Sequence, residues 1–221
     1  TLTLNHANAA GTDGIYVGLT NGTDAATLNL GSEITVTNAV TLRGGSTGTK
    51  YVKAMETATL SGVVAIDETD DDRFTIDVAS GKTLTMSGMV DGESSGKITK
   101  TGAGTVVFSY PSNPHWKKVQ INAGTVSISA SDNLGFEGAG AHEKIILNGG
   151  TLQATASFTM SEFYYMTIGA GNGTIDVGDA YILTYPGVIS GSGALGKSGT
   201  GTLCLTGTDA FSGKMTNSAG T

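Results

Sequence analysis

The chain is poor in the residues that define several common classes of protein. Its 221 residues include one cysteine and three prolines, with 6% aromatic and 14% charged residues. The single cysteine, Cys204, excludes an internal disulfide framework and any metal site built from several cysteines. No run of 18 apolar residues occurs, so the sequence predicts no transmembrane helix.

Charge excludes two further classes of partner. The formal net charge is −7, whereas nucleic acids and anionic membrane surfaces both select a basic face. No signal peptide opens the chain, which begins inside a strand pattern at Thr1-Leu2-Thr3-Leu4. We therefore expect an excerpt of a longer polypeptide.

Short strand patterns fill most of the sequence. Apolar and polar residues alternate over four to six positions, and glycine, asparagine, aspartate or serine bounds each run, as in residues 26–30, 33–37, 74–78, 124–128 and 150–154. This period of two is typical of β-strands. No segment sustains the apolar spacing of a long amphipathic helix, so the predicted fold class is all-β.

The most informative pattern is a stretch that occurs twice, at residues 75–108 and 174–205. Thr75-Ile76-Asp77-Val78 matches Thr174-Ile175-Asp176-Val177, an offset of 99 that falls to 97 at Gly104 and Gly201. Such a repeat of short strands indicates stacked coils. We predict a parallel β-helix of about ten coils, with roughly 20 residues in each coil. A tandem pair of β-sandwich domains is the alternative.

The repeat also suggests how the chain is organised. We predict one unit over residues 1–124 and a second over residues 125–221. The first unit is longer by roughly two dozen residues, which we expect as an added coil or loop around residues 44–72.

The second copy of the repeat resembles the autotransporter-associated β-strand repeat of bacterial passenger domains. The matching residues are Ile189, Gly191, Gly193, Leu195, Lys197, Gly199, Gly201, Thr202, Leu203, Leu205, Gly207, Phe211, Gly213, Ala219, Gly220 and Thr221. The first copy matches from Val90 to Phe108, departs at residues 111–116 and recovers at Ala123-Gly124-Thr125. The resemblance implies a right-handed β-helix passenger that is exported to the bacterial surface, and it supplies no catalytic residues.

An acidic run is the candidate metal site. Asp67, Asp70, Asp71 and Asp72 offer the hard oxygen ligands that Ca²⁺ prefers. The run lacks the spacing of an EF-hand loop, so a solvated loop is the competing interpretation. Asp77 and Asp176 occupy equivalent positions in the two copies, and a repeated hydrogen bond at a corner explains that placement better than catalysis does.

The candidate ligand-binding residues are His115 and Trp116. They lie where the first copy departs from the repeat, in a segment with two of the three prolines. Loops on a rigid scaffold often carry binding. The alternative is that Trp116 caps the core, as we expect of Phe211 in the second copy.

Together these features predict a non-catalytic structural or adhesive stalk in a large bacterial surface or secreted protein. Its expected partners are neighbouring repeats of the same polypeptide, further copies in a fibre, or host and matrix glycans or proteins. We expect no cofactor other than the candidate Ca²⁺. The alternative function is a β-helix polysaccharide lyase or glycoside hydrolase, since paired carboxylates perform that chemistry.

Overall fold

A computed structural model describes residues 1–19, 21–45, 47–67, 74–92, 97–114, 118–135, 142–208 and 210–221. In these ranges the chain forms β-strands and one short 3-10 helix at Ser131–Leu134. The strands are β1 (Leu2–Leu4), β2 (Ile15–Val17), β3 (Ala26–Leu30), β4 (Ile34–Val36), β5 (Val40–Leu42), β6 (Lys50–Ala54), β7 (Ala58–Leu60), β8 (Val64–Ile66), β9 (Phe74–Val78), β10 (Thr83–Met86), β11 (Val90–Gly92), β12 (Lys97–Thr101), β13 (Thr105–Phe108), β14 (Lys118–Ile121), β15 (Thr125–Ile128), β16 (His142–Leu147), β17 (Thr151–Ala154), β18 (Phe158–Thr159), β19 (Tyr164–Ile168), β20 (Gly173–Val177), β21 (Ile182–Tyr185), β22 (Ile189–Gly191), β23 (Leu195–Ser198), β24 (Thr202–Leu205), β25 (Ala210–Phe211) and β26 (Met215–Asn217).

The strands stack into parallel sheets that form the sides of a solenoid. One sheet has ten strands in the order β1-β3-β6-β9-β12-β14-β16-β19-β22-β25 within the described ranges. A second has nine, in the order β26-β23-β20-β17-β15-β13-β10-β7-β4. The third side consists of a four-stranded sheet, β11-β8-β5-β2, and a three-stranded sheet, β18-β21-β24. The predicted all-β parallel β-helix is therefore confirmed.

The alternation of side chains along each strand explains which residues are buried. In β10, Leu84 and Met86 are buried and Thr83 and Thr85 are half-buried on the outer face. Successive strands repeat this pattern in register, so each inward side chain lies on the equivalent residue of the next coil. The result is one hydrophobic cluster whose buried members run from Leu4 to Leu195. Burying this apolar column is the main favourable term in folding.

Two of the three corners of each coil are short and constant in length. Three or four residues connect a strand of the ten-stranded sheet to the next strand of the nine-stranded sheet. The same holds between the nine-stranded sheet and the third side. The connection back to the ten-stranded sheet instead varies from three to eight residues where both strands are present. We call this last corner the variable edge.

The two copies of the repeat lie on different sides of the solenoid. In the first copy, Lys100 lies in the ten-stranded sheet, and the chain turns after it into the nine-stranded sheet. In the second copy, Lys197 lies in the nine-stranded sheet, and the chain turns into the three-stranded sheet. The copies are therefore displaced by one side as well as along the axis. The division into units at residue 124 stays a prediction.

Candidate functional site

The variable edge is the candidate functional site, because both predicted site clusters belong to it. Asp67 directly follows β8, and the acidic residues Asp70, Asp71 and Asp72 precede β9. His115 and Trp116 precede β14. Strands β9 and β14 are both neighbours of β12 in the ten-stranded sheet. Strands β9 and β14 therefore lie two positions apart in this sheet, and the two predicted clusters directly precede them in the sequence.

Most of the predicted site residues lie outside the described residues. These are Asp70, Asp71, Asp72, His115 and Trp116. Asp67 is described: it is exposed, and its amide donates to the Leu42 carbonyl oxygen. In the described ranges no three histidine, cysteine, aspartate or glutamate side chains gather in a way that could hold a metal. Both the calcium site and the ligand-binding loop stay predictions.

Two buried asparagines anchor the segment that leads to His115 and Trp116. The side-chain oxygen of Asn113 accepts from the amide of Val90 at 2.7 Å, and its side-chain nitrogen donates to the Asn133 carbonyl oxygen at 2.8 Å. The Asn133 side chain in turn donates to the Tyr110 carbonyl oxygen at 2.7 Å. Asn113 thus supplies the acceptor that a further strand beside β11 would have offered. A buried amide without a partner would be costly.

Sequence reasoning missed these asparagines, although their positions carried a signal. Residues 109–114 and 129–135 replace strands of the third side in two successive coils. Asparagine is favoured in turns because its side chain can hydrogen-bond to nearby backbone. The partners of Asn113, however, lie about 20 residues away in sequence, and no local pattern identifies such pairs.

A buried lysine closes the short corner in each copy of the repeat. The amine of Lys100 donates to the carbonyl oxygens of Thr101, Gly102 and Ala123 at 2.5, 2.8 and 3.3 Å. The third acceptor belongs to the next coil. Lysine has three N–H donors and no acceptor, which suits a ring of carbonyl oxygens. We call this arrangement the lysine corner.

The second copy reproduces the lysine corner on its own side of the solenoid. The amine of Lys197 donates to the carbonyl oxygens of Ser198, Gly199 and Ala219 at 2.8, 2.7 and 2.8 Å. Glycines at φ +71° follow both lysines by two residues, at Gly102 and Gly199. Only glycine adopts this left-handed conformation without steric cost.

Burial changes the protonation of the first of these lysines. Removal from water lowers the pKa of Lys100 from 10.5 to about 8, and the nearby Asp77 carboxylate partly opposes this change. Loss of water disfavours the charged form of an amine, and a neighbouring negative charge favours it. The lysine corner has a structural role, because the Lys100 amine is enclosed and its N–H groups donate to backbone carbonyl oxygens.

Asp77 and Asp176 lie beside the two lysine corners and bind neighbouring strands. Asp77 pairs with Lys53 at 3.5 Å. Asp176 accepts from Ser198 at 3.0 Å and from Gln153 at 2.8 Å. These contacts agree with a repeated structural role for the two aspartates.

Cys204 lies on the outer face of β24, where it is exposed. Its neighbours Leu203 and Leu205 are half-buried and pack against the core. Side chains of β24 therefore alternate between the outer face and the core.

Comparisons with known proteins relate the chain to one large adhesin. It is 37% identical over 141 residues to the adhesin BmaC autotransporter of Brucella suis biovar 1 (strain 1330). The match covers 61% of this chain and 4% of that protein. Together with the solenoid fold, it confirms the resemblance to autotransporter passenger repeats. No family model matches the chain, and no solved structure matches it significantly.

The described ranges contain no helix that is long and apolar enough to cross a membrane.

Proposed function

We propose that the chain is a non-catalytic section of a bacterial surface or secreted adhesin, in which a stiff solenoid displays loops along one edge. The observation that carries the proposal is the contrast between corners. Two corners keep three or four residues wherever a strand lies on both sides of them, whereas the variable edge accepts connections of different length. Rigid scaffolds with variable loops are a common arrangement for binding. The name of the Brucella relative supports an adhesive role.

The test is adhesion by bacteria that display the parent protein. Residues 115–117 and 136–141, which directly precede β14 and β16 in the sequence, would be replaced, separately and together, by glycine-serine linkers of the same length. We expect surface display to persist and adhesion to host cells or matrix to fall. The matched control carries Thr59→Ala and Thr85→Ala on the outer face of the nine-stranded sheet, which should leave adhesion unchanged.

Two results would contradict this proposal. Adhesion that survives replacement of both segments would show that they do not carry the binding. Release of reducing or unsaturated sugar ends from polysaccharides by the purified chain would favour the enzymatic alternative, particularly if one Asp→Asn substitution abolished it.

The proposal also predicts what covers the last described coil. Leu203, Leu205 and Met215 line an apolar hollow of about 150 Å³, and Met215 is 50% exposed. Strands β24, β25 and β26 each pair with one neighbour within the described ranges. We expect another solenoid repeat, of the same polypeptide or of a second copy, to pair with these strands and cover the hollow, because exposed strand edges and apolar surface promote association.

The isolated chain provides a test of this stacking. At high concentration we expect it to associate end to end, since a head-to-tail contact that does not close produces a filament. Sedimentation velocity should show growing species, and Met215→Lys should suppress them. Thr83→Lys, on the outer face of the nine-stranded sheet, is the control. A wild-type chain that stays monomeric at millimolar concentration would contradict end-to-end assembly.

A further inference from the structure

The outer face of the four-stranded sheet carries an exposed aromatic side chain. Strands β2, β5, β8 and β11 align Tyr16 with Thr41, Ala65 and Asp91. The flanking residues Ile15 and Val17 are buried, so Tyr16 must point outward, and it is 59% exposed. Solvent-exposed tyrosine combines a flat apolar ring with a hydroxyl group, a pairing that is common at binding surfaces.

An arginine holds the tyrosine in place. The guanidinium carbon of Arg43 lies 4.3 Å from the centroid of the Tyr16 ring. The Arg43 amide donates to the Val17 carbonyl oxygen at 3.0 Å, which continues the pairing of β5 with β2. A cation stacked on an aromatic face stabilises its orientation. The ring is thus partly pre-oriented, and this lowers the entropy that a ligand would have to overcome.

A shallow depression lies at the other end of the same face. It has a volume of about 200 Å³ and is lined by Ala65, Ile66, Asp67, Asp91 and Gly92. Asp67 and Asp91 are both exposed at this depression. Three strand spacings separate Tyr16 from Asp91, which is about 14 Å. An extended chain molecule could contact both ends.

We propose that this surface, the tyrosine face (Tyr16, Thr41, Arg43, Ala65, Asp67, Asp91), binds a neutral glycan chain. The apolar face of a sugar ring stacks on Tyr16, and sugar hydroxyl groups donate to the carboxylates of Asp67 and Asp91. Ionised carboxylates are acceptor-only groups, so they suit hydroxyl donors. Their negative charge also disfavours sulfated or uronate-rich chains. This inference rests on the proposed adhesive function and assigns it a ligand class.

The direct test is binding of the 221-residue chain to immobilised and soluble glycans. The probes are mannan, an N-acetylglucosamine hexamer and a β-1,3-glucan as neutral glycans, with heparin as the sulfated one. We expect binding to at least one neutral glycan and none to heparin. Tyr16→Ala should raise the dissociation constant about tenfold, which is typical of an aromatic residue central to a contact.

The chain offers a matched control for the tyrosine. Tyr51 lies on the outer face of the ten-stranded sheet with the amine of Lys53 at 5.1 Å from its ring centroid. Tyr51→Ala removes a similar cation-stacked ring from a different face, so affinity should stay unchanged. Amide chemical shifts on addition of glycan should move at residues 16, 41, 65 and 91 and not at residue 51.

Several outcomes would overturn this inference. They are binding to none of the neutral glycans, binding to heparin alone, an unchanged affinity in Tyr16→Ala, or equal losses in Tyr16→Ala and Tyr51→Ala. Failure here is distinguishable from failure of the adhesive function. If bacteria that display the parent protein with Tyr16→Ala adhere normally, and the loop replacements abolish adhesion, the adhesive function stands and the tyrosine face is not its binding site.

Discussion

The two lysine corners are built from the same motif on different sides of the solenoid. Lys100 joins the ten-stranded sheet to the nine-stranded sheet, and Lys197 joins the nine-stranded sheet to the three-stranded sheet. In both, one amine donates to three carbonyl oxygens, one of them from the next coil. The motif therefore specifies a corner and not a particular side. The same motif can therefore form a short corner between either pair of adjacent sheets.

The largest expected effect comes from the glycine that follows the lysine. A Cβ added to Gly102 would overlap the carbonyl oxygen of Val78, whereas one added to Gly81 meets nothing within 4 Å. Both glycines have positive φ, at +71° and +70°. We expect Gly102→Ala to lower the free energy of unfolding by about 4 kcal/mol and Gly81→Ala by about 1 kcal/mol. Urea denaturation measures both. Equal losses would show that backbone conformation alone matters at the corner.

Removal of the buried amine should have the next largest effect. Lys100→Met keeps most of the side-chain volume but leaves three carbonyl oxygens without their donor, so we expect a loss of about 3 kcal/mol. Lys97→Met, on the outer face of the same strand, should change the free energy of unfolding by less than about 0.5 kcal/mol. Denaturant unfolding of both variants is the measurement.

The same substitution in the second copy sharpens the comparison between the two corners. Lys197 donates to the equivalent three carbonyl oxygens of its own corner but lies near the last described coil. Its exposed fraction is 5%, against 0% for Lys100. Lys197→Met should therefore cost less than Lys100→Met. A larger loss at Lys197 would show that position along the solenoid does not set the contribution of the corner.

The asparagine that replaces a strand should matter less than a lysine corner. Asn113→Ala removes the acceptor of the Val90 amide and the donor to the Asn133 carbonyl oxygen. We expect a loss of about 2 kcal/mol from these buried groups. Hydrogen exchange should show faster opening of the Val90 amide. Protection at Ile175, in the second copy, should stay unchanged. Uniform loss of protection along the chain would contradict this local role.

Lys100 should also make the stability of the chain depend on pH. The pKa of Lys100 is about 8 in the folded chain and near 10.5 when unperturbed. Between these values the unfolded chain binds more protons, so the free energy of unfolding contributed by Lys100 rises as the pH increases. The stability difference between the wild type and Lys100→Met should therefore grow from pH 7 to pH 10. If the stability difference instead shrinks from pH 7 to pH 10, the carbonyl oxygens keep the Lys100 amine charged in the folded chain.

The lysine corners and residues 109–114 differ in how the backbone of adjacent coils is held together. At a short corner, backbone from adjacent coils approaches so closely that an added Cβ at Gly102 or Gly199 would overlap a neighbouring carbonyl. At residues 109–114 side-chain amides replace backbone pairing, so the chain can leave the strand pattern and return. The chain can therefore depart from the strand pattern where side-chain amides satisfy the backbone groups of the neighbouring strand.

Local sequence was sufficient to predict much of the fold. The alternation of Leu152 and Ala154 with Thr151 and Gln153 predicted a strand and its buried face, since side chains on a strand alternate between faces. The repeated glycines and threonines indicated stacked coils and a resemblance to passenger repeats. Asp77 and Asp176 were expected to have a structural role from their equivalent positions alone.

Contacts between coils decided the rest, because they join residues that no local pattern connects. Only the stacking of successive coils shows that Lys100 donates to the Ala123 carbonyl oxygen and that Asn113 accepts from the Val90 amide. It also places Tyr16 and Asp91 on one face. The one-side displacement of the two copies is likewise set by the number of strands between them. Sequence determined which residues form strands and corners. The tertiary structure decided which of them meet, because paired residues of successive coils lie some 20 to 26 positions apart along the chain.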